Sequence, residues 1–379
     1  MNILIGGDVA PTKTNEDLFK DANTIELLGS ELHSIWMNSD IRIFNLETPL
    51  LDNEDPINKH GPNLIASTST IKGIVALKPS LITLANNHIL DQGITGLEST
   101  VNLLSRYTIP FVGIGNNLDK VLHSYILKIN GMKVGVYSCT EHEFTIAEKE
   151  KPGANPFDPL ESLDHISRLK SKTDFMIVLY HGGKEHYRYP SPYLQKVCRK
   201  MIEKGANLIV CQHSHCVGCF EKYNDATIIY GQGNFIFDRS NSEFWKTSLL
   251  INIEFENSGY YIDYIPILKD GNKVRLAKGN QAEKILNEFK KRSNEIKQEN
   301  FLEKKYVEFA EENLLTYLRN FSGLGKWVSR IDRLVFNHFF LKRIYGKQKM
   351  LAIQNYIECE AHRELFLTGL KGRTNSEGK

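Results

Sequence analysis

The sequence carries almost no excess of either charge. Its 47 Lys and Arg stand against 45 Asp and Glu, a formal net charge of +2 over 379 residues. That excludes a global electrostatic argument for nucleic acid or a strongly acidic partner, so charge-driven recognition has to be local. No run approaches the roughly 20 apolar residues needed to cross a bilayer as a helix. The opening stretch MNILIGGDVA lacks the basic, apolar and small-residue zones of a secretory signal. Six cysteines without such a signal read as reduced thiols and exclude a disulfide framework. Together these absences make the cytoplasm the expected location. No internal repeat and no long low-complexity segment is visible. What is present is ordinary for a globular chain, 41% hydrophobic and 24% charged, which predicts a sizeable core.

Up to about Leu268, short β-rich runs alternate with helical patterns. Met1–Gly6, Ile41–Leu46, Leu81–Ala85 and Phe111–Ile114 read as strands, and Ile25–Met37, Thr70–Leu77 and Gly93–Tyr107 as helices. Tyr125–Ile129 and Lys133–Ser138 read as a hairpin, because Asn130-Gly131 tolerates positive φ at both positions. Helices are expected at Pro159–Ser171 and Pro192–Lys204. Further strands are expected at Asp174–Tyr180, Asn207–Cys211, Thr227–Tyr230 and Ser248–Phe255, the last pairing with Tyr260–Pro266 across Asn257-Ser258-Gly259. From about Asn280 strands vanish and charge-rich helical sequence takes over. The pattern predicts an α/β domain over 1–279 and a helical appendage over 280–379, with GRTNSEGK as a frayed tail.

The informative feature is where metal-capable residues fall. Asp8 ends the first strand, and Glu47 the second. Asn87, His88 and Asp91 follow the third; His181 ends a later strand, and His213 and His215 the next. Ligands of open α/β sheets gather beyond the carboxyl ends of the strands. Separate segments bringing carboxylate, amide and imidazole to that edge predict a divalent-metal site. Those donors suit Zn, Mn or Fe better than they suit a thiolate-held structural zinc. A paired site of this kind activates water for displacement at phosphorus and needs a bridging carboxylate.

The segments GGDVA (6–10), NLE (45–47), NNHILDQG (86–93), HGGKE (181–185), QHSH (212–215) and GNFIFD (233–238), in that order, resemble the bacterial CapA/PgsA-type capsule synthesis proteins. The resemblance covers about residues 1–268. It implies the calcineurin-like metallophosphoesterase fold, an αββα sandwich, and a hydrolase linked to capsule, poly-γ-glutamate or other surface-polymer metabolism. It also implies that Asp8 and His215 bind a first metal, that Asn87, His181 and His213 bind a second, and that Glu47 bridges them. His88 becomes the candidate acid or hydrogen-bond donor, with Asp91 orienting it. The first motif departs from the classical Asp-x-His, since Ala10 stands where a histidine would lie. One metal on Asn87, His181 and His213 is therefore the alternative to two.

Other readings stay open at this point. Glu185 is either a surface carboxylate or a contact to substrate or to bound water. Asp91 equally suits a helix cap, and Asn234 and Asp238 suit supporting roles. Cys211, Cys216 and Cys219 lack the nearby fourth cysteine of an iron–sulfur run. Segment 323–347 mixes Trp327, Phe336, Phe339 and Phe340 with Lys326, Arg330, Arg333, Lys342 and Arg343. It reads as a helix packed on the catalytic domain or as a peripheral membrane contact. The expected substrate is an anionic small molecule or polymer, with no nucleic acid. The rival functions are a phosphoesterase acting on a small phosphorylated metabolite and a non-catalytic assembly factor for surface polymer.

Overall fold

The apolar run at the start forms β1 (Asn2–Ala10), which continues past Gly6-Gly7, where the sequence pattern ends it. Its pairing register shifts at this point. A Cβ on Gly7 would sit 2.0 Å from the Gly233 carbonyl oxygen, so only glycine lets the strand pass. The computed structural model describes residues 1–256 and 259–376. After β1 come α1 (Glu16–Lys20), α2 (Thr24–Leu28) and α3 (Ser30–Asn38). The single helix expected over Ile25–Met37 is thus two, because Gly29 at φ 72° and ψ 153° breaks the helical turn.

Next come β2 (Ile41–Leu46), α4 (Ile71–Ala76), β3 (Leu81–Thr83), α5 (Gly93–Arg106), β4 (Phe111–Val112) and β5 (Ile114–Gly115). The hairpin of β6 (Ser124–Ile129) and β7 (Met132–Thr140) turns at Asn130 and Gly131, both at positive φ. Then follow β8 (Gly153–Ala154), α6 (Ser162–Lys170), β9 (Phe175–His181), α7 (Pro192–Glu203), β10 (Leu208–Gln212), β11 (Val217–Tyr223), β12 (Ala226–Gln232) and β13 (Asn234–Phe237). β14 (Thr247–Glu256), β15 (Gly259–Asp270) and β16 (Lys273–Leu276) close this part of the chain. Asn257 and Ser258 of the expected turn lie outside the described residues.

One sheet runs β16-β15-β14-β1-β2-β3-β4, with β13 alongside β1; the other runs β11-β12-β10-β9-β7-β6. Period-2 alternation sorts each strand between two environments. Ile3, Ile5 and Ile43 meet Val134, Val136, Ile177 and Leu179 in the core between the sheets. Their neighbours Leu4, Phe44 and Ile82 face outward, under Phe19, Leu32, Trp36 and Leu97 of the first helices. Met176, Val178 and Ile209 pack on the far side with Ile166, Val197 and Met201 of α6 and α7. The result is the expected αββα arrangement of layers. Two buried glutamines tie the sheets together near the strand ends. Gln232 of β12 donates to the Ile5 and Leu249 carbonyls at 2.7 and 3.0 Å, and Gln212 of β10 to Gly6 at 3.3 Å.

The composition change near 280 is not where the fold divides. α8 (Gly279–Glu295) buries Ile285 and Phe289 against the inter-sheet core. Its Arg292 donates to the Gly218 carbonyl at 2.7 Å, and its Ser293 hydroxyl accepts from the Phe220 N–H at 2.8 Å. The chain separates instead into Met1–Leu302 and Glu303–Lys379.

The second unit holds most of α9 (Phe301–Phe321), then α10 (Lys326–Leu334), α11 (Phe339–Ile344), α12 (Lys347–Glu358) and α13 (Glu360–Ser376). It has a small core of Leu318, Leu341 and Tyr345. Segment 323–347 is two short helices separated by a turn, not one helix. The tail expected from 372 onward is helical as far as Ser376. Among the described residues, no helix is long and apolar enough to cross a membrane.

Candidate metal centre

The carboxyl ends of β1, β2, β3, β9 and β10 converge, and residues near or just beyond those ends become neighbours. Asp8, Glu47, His181, His213 and His215 are all buried. Two sets of donors each lie within 4.8 Å of one another: Glu47 with His181 and His213, and Asp8 with Glu47 and His215. Glu47 is common to both, the position a bridging carboxylate occupies. Asn87 adds its amide oxygen, 3.0 Å from His181 Nε2, and that nitrogen lies 3.1 Å from His213 Nδ1. His213 and His215 reach inward from a backbone at φ 78° and 54°, a left-handed geometry that costs energy and recurs at functional sites.

The donor set fits a divalent cation. Among the described residues, Asp8 Oδ2 and both carboxylate oxygens of Glu47 are buried with no hydrogen-bond partner, His181 Nε2 standing 3.5 Å from Glu47 Oε1. Uncompensated carboxylate oxygens are expensive in a protein interior. Burial pushes the Asp8 carboxyl up to about 6, although the amide of Asn45 and the charge of His213 oppose it. Burial, aided by Asp8, raises Glu47 well above the usual carboxylate range. Burial, with His213 next, holds His181 and His215 well below the usual histidine range. Neutral imidazoles keep the lone pair a metal needs, and a cation would offset the carboxylate cost. Asn234 fixes the His215 ring, its amide oxygen 2.8 Å from Nδ1.

His88 stands over this centre. Its Nδ1 is 2.5 Å from Asp91 Oδ2, and its Nε2 is 4.0 Å from Glu47 Oε1. Burial lowers its affinity for a proton, and Asp91 acts in the other direction. Asp91 therefore orients His88, and the Leu64 N–H at 2.6 Å holds the same carboxylate oxygen. Glu185 is half-buried beside the site; its charge disfavours ionisation of Glu47, but it joins neither donor set. Asp238 points elsewhere, pairing with Lys269 at 2.5 Å and accepting from Thr14 at 2.6 Å.

Three further residues contribute to the site that the strand-end pattern does not single out. Lys59 is half-buried as a residue, but its side chain is covered and pairs with Asp91 Oδ1, with His88 Nδ1 and the Asn87 carbonyl each 3.4 Å away. Asn45 donates to Asp8 Oδ1 at 2.8 Å and lies 3.4 Å from His181 Nδ1. Glu143 accepts from the Asn87 amide at 3.3 Å and lies 3.7 Å from His213 Nε2. Lys59 and Glu143 come from loops with no periodic signal. Asn45 lay in plain view in the NLE motif, one alternate position from Glu47.

A family model described as "Bacterial capsule synthesis protein PGA_cap" matches residues 2–239. The chain belongs to this family. Among its capsule synthesis relatives, the capsule biosynthesis protein CapA of Bacillus anthracis is 31% identical over 240 residues, 61% of this chain and 58% of that protein. The PGA biosynthesis protein CapA of Bacillus subtilis (strain 168) is 29% identical over 201 residues, 52% of each chain. The match thus spans little more than half the length of these relatives. Solved structures similar to the chain include a putative 5′-nucleotidase from Staphylococcus aureus (14% identity, TM-score 0.45, 77% of this chain and 58% of that one). A phosphatase from Mycoplasma pneumoniae matches at 17% identity and TM-score 0.45, covering 72% of this chain and 94% of that one. In this PGA_cap protein, Ala10 is buried in an apolar cluster with Phe237 and Trp245, and the same two rings pack on His215. The place of the classical histidine is filled by hydrophobic packing.

Proposed function

We propose that this capsule synthesis family member is a metal-dependent hydrolase linked to capsule, poly-γ-glutamate or other surface-polymer metabolism. The observation that carries this reading is Glu47, both of whose buried oxygens lack a hydrogen-bond partner among the described residues while it belongs to both donor sets. Asp8 and His215 would hold one divalent ion, and Asn87, His181 and His213 the other, with Glu47 between them. Such a pair, of Mn, Zn or Fe, supplies Lewis acidity and lowers the pKa of water. The protein's own contribution is orientation. Asp91 holds His88 Nδ1, leaving Nε2 directed at the centre, where the ring, once protonated on both nitrogens, can donate to a leaving or substrate oxygen.

The test is hydrolysis of simple phosphomonoesters, phosphodiesters and poly-γ-glutamate by protein loaded with Mn²⁺. Turnover of at least one class, abolished by Asp8→Asn and by His181→Ala in folded protein, supports the reading. Turnover confined to the phosphate esters selects a phosphoesterase for a small phosphorylated metabolite. No turnover by metal-loaded protein contradicts both. A second reading, an assembly factor that no longer uses its metal for chemistry, is favoured by one observation: the apolar packing of Ala10, which leaves the Asp8–His215 half a ligand short.

A further inference from the structure

The second unit carries a surface the proposed chemistry does not use. On α10, Trp327, Val328, Ile331 and Leu334 recur at helical spacing, followed by Val335, and together they form one apolar face. That face is bare: Trp327 is 76% exposed, Leu334 66% and Val335 69%. The turn into α11 adds Phe336, Phe339 and Phe340, all exposed, with Phe340 edge-on to both of the others. An exposed apolar surface of this kind marks a contact with another phase or molecule.

Charge decides which. Between 323 and 347 the basic residues are Lys326, Arg330, Arg333, Lys342, Arg343 and Lys347, against a single acid, Asp332. Asp332 is buried and spent on the fold, its carboxylate accepting from the Phe340 and Leu341 N–H groups at 2.9 and 3.1 Å and so capping α11. Among the described residues of 323–347, the exposed surface is therefore apolar and cationic, with no exposed carboxylate. Beside it, Arg319, Arg330 and Arg333 line a hollow of about 380 Å³ with Asn320, Leu324 and Ser329. Among the described residues no carboxylate pairs with these three guanidinium groups. Guanidinium forks match phosphate oxygens, and tryptophan and phenylalanine beside cations suit the headgroup boundary of a bilayer. A second copy of this chain would bring a like-charged surface to the contact.

We infer that α10 and α11 dock on an anionic lipid surface. Trp327, Ile331, Leu334 and the phenylalanines enter the headgroup boundary, and Arg319, Arg330 and Arg333 grip a lipid phosphate. The inference does not depend on the hydrolase reading, because none of these residues belongs to the metal centre.

Co-sedimentation of the full chain with phosphatidylcholine vesicles, with and without phosphatidylglycerol, tests it. Trp36 and Trp245 are buried, so a lipid-induced blue shift in fluorescence reports Trp327. The expected result is binding to phosphatidylglycerol vesicles at low salt, weakened by salt, with a blue shift and quenching by brominated lipid. Ile331→Asp with Leu334→Asp, and separately Arg330→Glu with Arg333→Glu, should each weaken binding at least tenfold. Failure to bind anionic vesicles at low salt overturns the inference. So does binding that neither pair of substitutions changes, or a lipid-free dimer that Ile331→Asp with Leu334→Asp disperses.

Discussion

Lys59 shows how much of the centre is set by residues that do no chemistry. Its ammonium is buried against Asp91, with 3% and 0% of the two side chains exposed. Asp91 in turn fixes His88, so removing the lysine leaves a buried carboxylate short of a charge partner. Lys59→Met should cost about 3–5 kcal/mol in urea denaturation, and Lys59→Arg less. It should also release His88 from its orientation, so any hydrolytic turnover should fall with kcat while KM changes little. The ligand-type residues Asp8, Glu47, Asn87, His181, His213 and His215 were legible because each sits at the end of a β-rich run. Lys59 and Glu143 were not, because nothing local marks a loop residue that meets the site through the fold. The orphaned oxygens of Glu47 could be seen only once the chain was folded.

At the scale of elements, the sequence pattern located the strands that carry the site and lost those beside them. β11 escapes the pattern because Glu221 and Lys222 interrupt its apolar run, β13 because Gly233 alone separates it from β12, and β16 because it is a short strand at the sheet's edge. The Gly6-Gly7 pair looks like a strand end in the sequence, but it is a register shift that lets β1 continue and presents Asp8 beside Asn45 and Asn234. The glutamine ties explain how two sheets hold their strand ends close enough for one site. Gln232→Leu leaves the Ile5 and Leu249 carbonyls buried without this donor. It should destabilise the protein by about 1–3 kcal/mol. Chemical denaturation of the metal-free form measures this apart from any effect on metal binding.

For the whole molecule, composition and packing disagree on where the first unit ends. Charge-rich helical sequence begins near 280, yet Ile285, Phe289, Arg292 and Ser293 of α8 are buried against the sheets. Composition records solvent exposure along a helix; it does not reveal which face is covered. A chain ending at Leu302 should therefore fold and keep its metal affinity. One ending at Gly279 should lose cooperative thermal unfolding or express insolubly, because it strips the cover from Phe220 and Tyr264. Equal stability of the two truncations would contradict this boundary. Whether Glu47 joins two divalent-metal sites is decided by elemental analysis of the full chain after loading with Mn, Zn or Fe. About two ions per chain are expected, falling to one or fewer in Glu47→Gln. No metal above background, or a content that Glu47→Gln leaves unchanged, would contradict that bridging role.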